Sequence, residues 1–197
     1  MTTHTFNIEN IFSKSWEKTK DHVWFLVLSV LIFLGITSIF QEVFLIGYIV
    51  KVFVLLSLSS VVLTIVHDRK PKIHDLTKYF ANYKKPLRML IISIIVHTLT
   101  ILGLFLFIIP GIYIGIRFMF YQYYVLEHEH KTIGESLQEI FSMTEGNFWK
   151  LFLFSVVALF VNFLGILALG VGFLITFPIT LLASGYIYKT ITPHYKR

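Results

Sequence analysis

Three stretches of this chain, 8–28, 73–93 and 133–153, align with one another without a gap. Each is about four turns of amphipathic sequence that runs straight into a long apolar segment, and each then doubles back through a second apolar segment. A unit repeated in this way restricts the chain to one interfacial helix plus one membrane hairpin, built three times. The first and third copies share Ile, Thr, Trp, Leu and Leu at matched places, whereas the second agrees mainly in pattern. The expected organisation is one membrane domain, 1–197, with units 1–67, 68–127 and 128–197.

Composition sets the solvent. Hydrophobic residues make up 56% of the 197 positions and charged ones 14%, against about 25% charged in soluble domains. A bilayer crossing needs roughly 17 to 25 mainly apolar residues, and the sequence offers six: 23–40, 43–66, 87–109, 111–126, 148–169 and 171–188. The fourth is the shortest. The hairpin turns are expected at Gln41-Glu42, at Pro110-Gly111 and at Gly170-Val171-Gly172, where glycine and proline break helices. With no cysteine, disulfides, thiolate metal sites and a cysteine nucleophile are excluded. The polar first 22 residues and the lack of a small-residue cleavage site predict a retained first helix rather than a removable leader.

Positive charge orients the bundle. Of the 17 Lys and Arg residues, all but Lys51 and Arg117 fall in the N-terminal arm, the two long connections and the tail, counting Arg88 and Lys150 at the very start of the spans that follow. Basic residues concentrate on the cytoplasmic side, so both termini are predicted cytoplasmic. The net charge of +6 then reflects topology and anionic headgroups, and no nucleic acid partner is expected. The far side has too few residues for a receptor ectodomain or a soluble catalytic domain.

Each unit opens with an amphipathic helix suited to lie flat at headgroup level. Its apolar face is read as Ile8, Ile11, Phe12, Trp16 and Thr19 in the first copy. The second uses Ile73, Leu76, Tyr79, Phe80 and Tyr83, and the third Ile133, Leu137, Ile140 and Phe141. Thr132 and Glu135 have capping-box spacing, and Trp24 and Trp149 stand where aromatic anchors meet water. These helices serve either as collars sealing the bundle or, through Arg69, Lys70, Lys72, Lys78, Lys84, Lys85 and Arg88, as a grip on anionic lipid at roughly 1 kcal/mol per basic residue.

Ionisable residues inside a span are functional candidates by default. Lys51 and Arg117 occupy comparable places in consecutive units, from which they would either converge on one anion, such as a lipid phosphate, or snorkel, or pair with Glu42. His97 and Asn162 are intramembrane polar residues suited to bonding a neighbouring helix. Gly111 and Gly115 have the small-xxx-small spacing of close helix contacts. Pro110, Gly111 and Pro178 are the expected helix breaks. With no carboxylate at mid-membrane depth, a proton relay lacks its usual parts.

Catalytic patterns are missing. There is no G-x-S-x-G, no H-E-x-x-H, no P-loop and no dinucleotide fingerprint, and Leu182-Ala183-Ser184-Gly185 lacks the leading glycine of an intramembrane serine protease. The run Glu127-His128-Glu129-His130 is read as an exposed loop, since a metal needs three or four converging ligands. Neither metal nor cofactor is expected, and the chain is read as non-enzymatic.

The third unit also carries a textual likeness. Thr132-Ile133-Gly134-Glu135-Ser136-Leu137, Phe141 and Thr144-Glu145-Gly146-Asn147-Phe148-Trp149, with the sister copy Ser15-Trp16-Glu17-Lys18-Thr19-Lys20, resemble a block found in bacterial six-span proteins. Ile109-Pro110-Gly111-Ile112-Tyr113 with Arg117, and Asn162-Phe163-Leu164-Gly165 leading to Pro178, extend it. The chain thus resembles the YciC-like group of inner-membrane proteins, related to the membrane domain of glycerophosphoryl diester phosphodiesterases. The resemblance implies a bacterial inner-membrane module near lipid metabolism, and the catalytic phosphodiesterase domain has no counterpart here. The expectation is a protein that binds or organises anionic lipid. The alternatives are a transporter of small solutes or lipids, whose path follows the broken fourth and sixth helices, and a stabilising subunit of a membrane protein complex. The oligomeric state is left open.

Overall fold

A computed structural model describes residues 6–40, 44–77, 84–168 and 170–192. Among these the chain is all-α, with no strand. Helices α1 (Ile8–Asp21), α2 (Val23–Phe40) and α3 (Phe44–Val66) are followed by the short α4 (Ile73–Thr77). Then come α5 (Lys84–Leu106), α6 (Ile108–Arg117), α7 (Tyr121–Glu127), α8 (Ile133–Met143), α9 (Phe148–Leu167) and α10 (Phe173–Ile191). Among the described residues five helices are long and apolar enough to cross a membrane: α2, α3 from Ile46, α5, α9 and α10. That matches the membrane composition of the chain.

Two of the five form the centre. The apolar window is 61% buried in α3 and 56% in α10, against 17% in α2 and in α9 and 28% in α5. α10 packs on α1, α2, α3 and α9, while α3 packs on α2, α4, α5, α7 and α10. Gly185 lets α10 approach α3, since a Cβ there would run into Val62.

The fourth apolar segment is the main departure from the sequence reading. It forms two short helices, α6 and α7, joined by a turn over Phe118, Met119 and Phe120 with no glycine or proline in it. The Arg117 carbonyl at the end of α6 instead accepts from Thr144 Oγ1 at 3.2 Å. A helix terminus leaves carbonyls without an intrahelical donor, and a hydroxyl brought in by another part of the chain satisfies this one.

The turn before α6 also lies elsewhere than expected. Phe107 is the extended residue, at φ −156 and ψ 140, and Pro110 and Gly111 sit in the first turn of α6. Proline is tolerated there because its missing N–H would have no intrahelical acceptor. Gly111 serves packing: a Cβ on it would lie 2.5 Å from the Leu104 nitrogen, and one on Gly103 would lie 2.9 Å from the Gly111 Cα. The close pair is therefore Gly103 with Gly111 across the hairpin. Gly115 has ordinary room, with Thr100 Cγ2 3.6 Å from its Cβ position. α10 continues through Pro178 without a break.

The amphipathic helices differ in detail from their sequence faces. In α1 the buried residues are Ile11, Ser15 and Thr19, and Trp16 is 46% exposed. Ser15 and Thr19 return their hydroxyls to the carbonyls of Ile11 and Ser15, at 2.7 and 2.8 Å, so these small polar residues are buried without an unmet hydrogen bond. In α8 the corresponding buried residues are Ser136 and Ile140, followed by Thr144. Trp24 and Trp149, matched in sequence, are 78% and 77% exposed. Of the second copy α4 is described, while Lys78, Tyr79, Phe80 and Tyr83 lie outside the described residues, as does Glu42.

Candidate functional site

Arg117 is the last residue of α6 and is only 3% exposed. Its guanidinium carbon lies 3.8 Å from the centre of the Phe141 ring and 5.7 Å from that of Tyr113. Tyr113, Phe141, Phe118 and Phe148 continue as one aromatic cluster with centroid separations of 5.0 to 6.3 Å. The faces of these rings attract the cation, and the C-terminal end of α6 favours positive charge at this place. The Nε has no acceptor. Among the described residues the ion pairs are Lys18 with Asp68, Lys85 with Glu129 and Lys131 with Glu139, and none reaches Arg117. A permanently charged group buried without a carboxylate is rare and costly in a membrane.

Lys51 stands apart from it. It is exposed on α3, whereas α6 packs on α5 and α9. No hydrogen bond, ion pair or ring contact among the described residues links the two cations, so the structure leaves Lys51 and Arg117 on different seams of the bundle.

The basic connection divides into two groups. Arg69, Lys70 and Lys72 are exposed, and Lys84 is exposed at the start of α5. Arg88 and Lys85 are committed to the protein itself. Arg88 donates to the His128 carbonyl and to Ser136 Oγ, and Lys85 pairs with Glu129. The two side chains pin α5 to the link between α7 and α8.

That link is polar throughout. The Tyr124 hydroxyl and Lys131 both reach Glu139, the latter at 2.7 Å. Hydrogen bonds from Lys131 and Tyr124 hold the Glu139 carboxyl below its usual range. Thr132 and Glu135 form the expected capping box, and the Thr132 backbone N–H and hydroxyl likewise lower the Glu135 carboxyl. The run from Glu127 to His130 is not simply a free loop. Glu127 accepts from Tyr188 at 2.8 Å, His128 stacks on Tyr124 at 4.1 Å, and Glu129 holds Lys85. These residues are drawn to separate partners because neighbours in a turn point apart.

Lys18 and Asp68 pair at 2.7 Å and join α1 to the end of α3. The hydrogen bond from Lys18 lowers the Asp68 carboxyl, and the same contact raises the Lys18 ammonium. Asp68 has φ 56, the left-handed conformation that Asp and Asn adopt more readily than most residues.

The two neutral polar residues each face a neighbouring helix. Asn162 Nδ2 donates to Thr180 Oγ1 at 3.0 Å, bonding α9 to α10. His97 Nδ1 lies 2.6 Å from the Ser93 carbonyl, and its ring meets Tyr48 and Tyr121 edge-on. The Tyr48 hydroxyl donates to Ser93 Oγ at 3.0 Å. Tyr113 and Phe141 stand in the quoted sequence blocks, but their meeting around Arg117 is a product of folding, as is that of Tyr48 and Ser93, which carry no motif, beside His97.

No family model, curated protein or solved structure matches this chain.

Proposed function

We propose that the chain is a non-enzymatic membrane protein of six spans, arranged as three units of interfacial helix plus hairpin, that binds anionic lipid. In this reading α6 and α7 together make the fourth crossing. The matched burial of Ile11, Ser15 and Thr19 with Ser136, Ile140 and Thr144 supports the repeat, as does the equal exposure of Trp24 and Trp149. Placement in a bacterial inner membrane with cytoplasmic termini, and kinship with the YciC-like group, rest on the charge distribution and the quoted motifs.

The observation that carries the lipid reading is Arg117, a buried cation whose neighbours among the described residues supply rings but no anion. A phosphate approaching between α6 and α8 meets Tyr113 and Phe141 first, which are 39% and 38% exposed. The exposed Arg69, Lys70 and Lys72 add attraction at the cytoplasmic leaflet. Native mass spectrometry of the gently extracted protein tests this. Anionic lipid retained by the parent and by Arg117→Lys, and reduced in Arg117→Gln, supports the reading. Equal retention in all three overturns Arg117 as the contact.

The interruption of the fourth segment at Phe118–Phe120 favours one further reading, a transporter, since broken helices line transport paths. Solute or lipid flux in proteoliposomes that disappears with Arg117→Ala identifies it.

A further inference from the structure

The seam between α3 and α5 holds a second polar constellation inside the apolar layer. His97 Nδ1 sits 2.6 Å from the Ser93 carbonyl oxygen, which can only accept, so Nδ1 carries a proton, and an imidazole holding its one proton there offers its lone pair at Nε2. Among the described residues no hydrogen bond is made at Nε2, and His97 is exposed. The Tyr48 hydroxyl spends its proton on Ser93 Oγ, and Ser93 in turn donates to the Leu90 carbonyl at 2.9 Å. Tyr48 is therefore left with acceptor capacity as well. One turn along α3 from Tyr48 stands Lys51, exposed and without a hydrogen bond or ion pair among the described residues, and side chains three apart share a helix face. Tyr48 is four residues from the first residue of α3, about 6 Å at the helical rise, so the seam opens close to the far end of that helix.

These groups specify a ligand. One cation calls for an anion, and two acceptors beside it call for donors on the same molecule. A phosphate bearing alcohol groups meets both demands, whereas a phosphate without hydroxyls satisfies only Lys51. We propose that Lys51, His97 and Tyr48 form a site for a hydroxylated phosphate headgroup, of the phosphatidylglycerol type, entering sideways from the bilayer. The site rests on the reading of the protein as an anionic-lipid binder and is separate from Arg117, which lies on other helices.

The test compares two lipids of equal charge. Nanodiscs or mixed micelles containing phosphatidylglycerol or phosphatidylmethanol are offered to the parent, and bound lipid is counted by native mass spectrometry. The parent is expected to prefer phosphatidylglycerol by about fivefold, the weight of one net hydrogen bond. In His97→Phe that preference is lost while binding persists, and in Lys51→Met the lipid bound at this site is lost for both headgroups, leaving only what Arg117 retains. Equal binding of the two lipids by the parent overturns the site without touching the role of Arg117, for which Arg117→Gln is the separate control. Absence of any bound anionic lipid in the parent overturns both. Displacement of phosphatidylglycerol by soluble glycerol phosphate keeps the headgroup chemistry and overturns the membrane as its source.

Discussion

Thr144 reaches across from the end of α8 to hydrogen-bond the carbonyl of Arg117, 3.2 Å away and 27 residues earlier in the chain. The same hydroxyl faces the Phe141 carbonyl at 2.9 Å, so one small side chain joins the interrupted fourth segment to the amphipathic helix that covers it. Thr144→Val keeps the shape and removes the donor. We expect a loss of about 1 kcal/mol, read as a lowered unfolding temperature in detergent, and a larger loss for Thr144→Ala, which also leaves a gap.

Phe141 is the nearer cover of Arg117. Phe141→Ala removes a cation-ring contact of about 2 kcal/mol when desolvated and opens the guanidinium to water. Modification by an arginine-selective dicarbonyl reagent, mapped by peptide mass spectrometry, is expected to be slow at Arg117 in the parent and fast in the variant. Equal rates would show that the ring does not shield it.

The hairpin of α5 and α6 closes on two glycines. Gly111→Val places a branched side chain against the Leu104 backbone, and no rotamer relieves a clash that begins at Cβ. This variant is expected to lose most of its monodisperse yield in size-exclusion chromatography. Gly115→Ala, with ordinary van der Waals room, is expected to behave as the parent.

Acidification is expected to loosen the ion-paired contacts of α1 with the end of α3 and of the α7–α8 link with α8. Glu139 and Asp68 have carboxyls lowered below their ordinary values by Lys131 and Lys18. Unfolded, both titrate near pH 4. Their contribution is therefore full above that range and is lost as the pH falls through the lower folded values. The unfolding temperature of the parent should drop more between pH 6 and pH 3 than that of Glu139→Gln, in which one of the two titrating groups is gone. Parallel curves would assign the acid response to other carboxylates.

Asn162 was legible as a residue suited to bonding a neighbouring helix, and it meets Thr180 of α10. The close approach of Gly103 and Gly111 was not legible, because the turn falls at Phe107 and not at Pro110-Gly111. Five of the apolar runs became helices long enough for a bilayer. The break after Arg117 was not legible, since no residue at 118–120 demands it and the hydroxyl that satisfies it arrives from Thr144. Trp16 was placed on the apolar face of the first helix on hydrophobicity alone, and that face does not say which residues the protein itself covers. The space against α10 instead takes Ser15 and Thr19, whose hydroxyls bond their own helix. Arg88 and Lys85 looked like lipid contacts because charge patterns do not say which cations the protein keeps for itself. Folding supplies them with the His128 carbonyl, Ser136 and Glu129.

α1 finds its packing surface on α10, with Phe12 against Phe154 of α9 and Lys14 over the Tyr186 ring. At about 5 to 20 residues per second of synthesis, α10 emerges on the order of ten to thirty seconds after α1. Through that interval the first helix has its contacts with α2 and the end of α3 but lacks its main packing surface. Docking of the earliest segment onto the latest makes the closing of the ring a late event of biogenesis, and any nascent chain stalled before α10 carries an incompletely docked amphipathic helix as its mark.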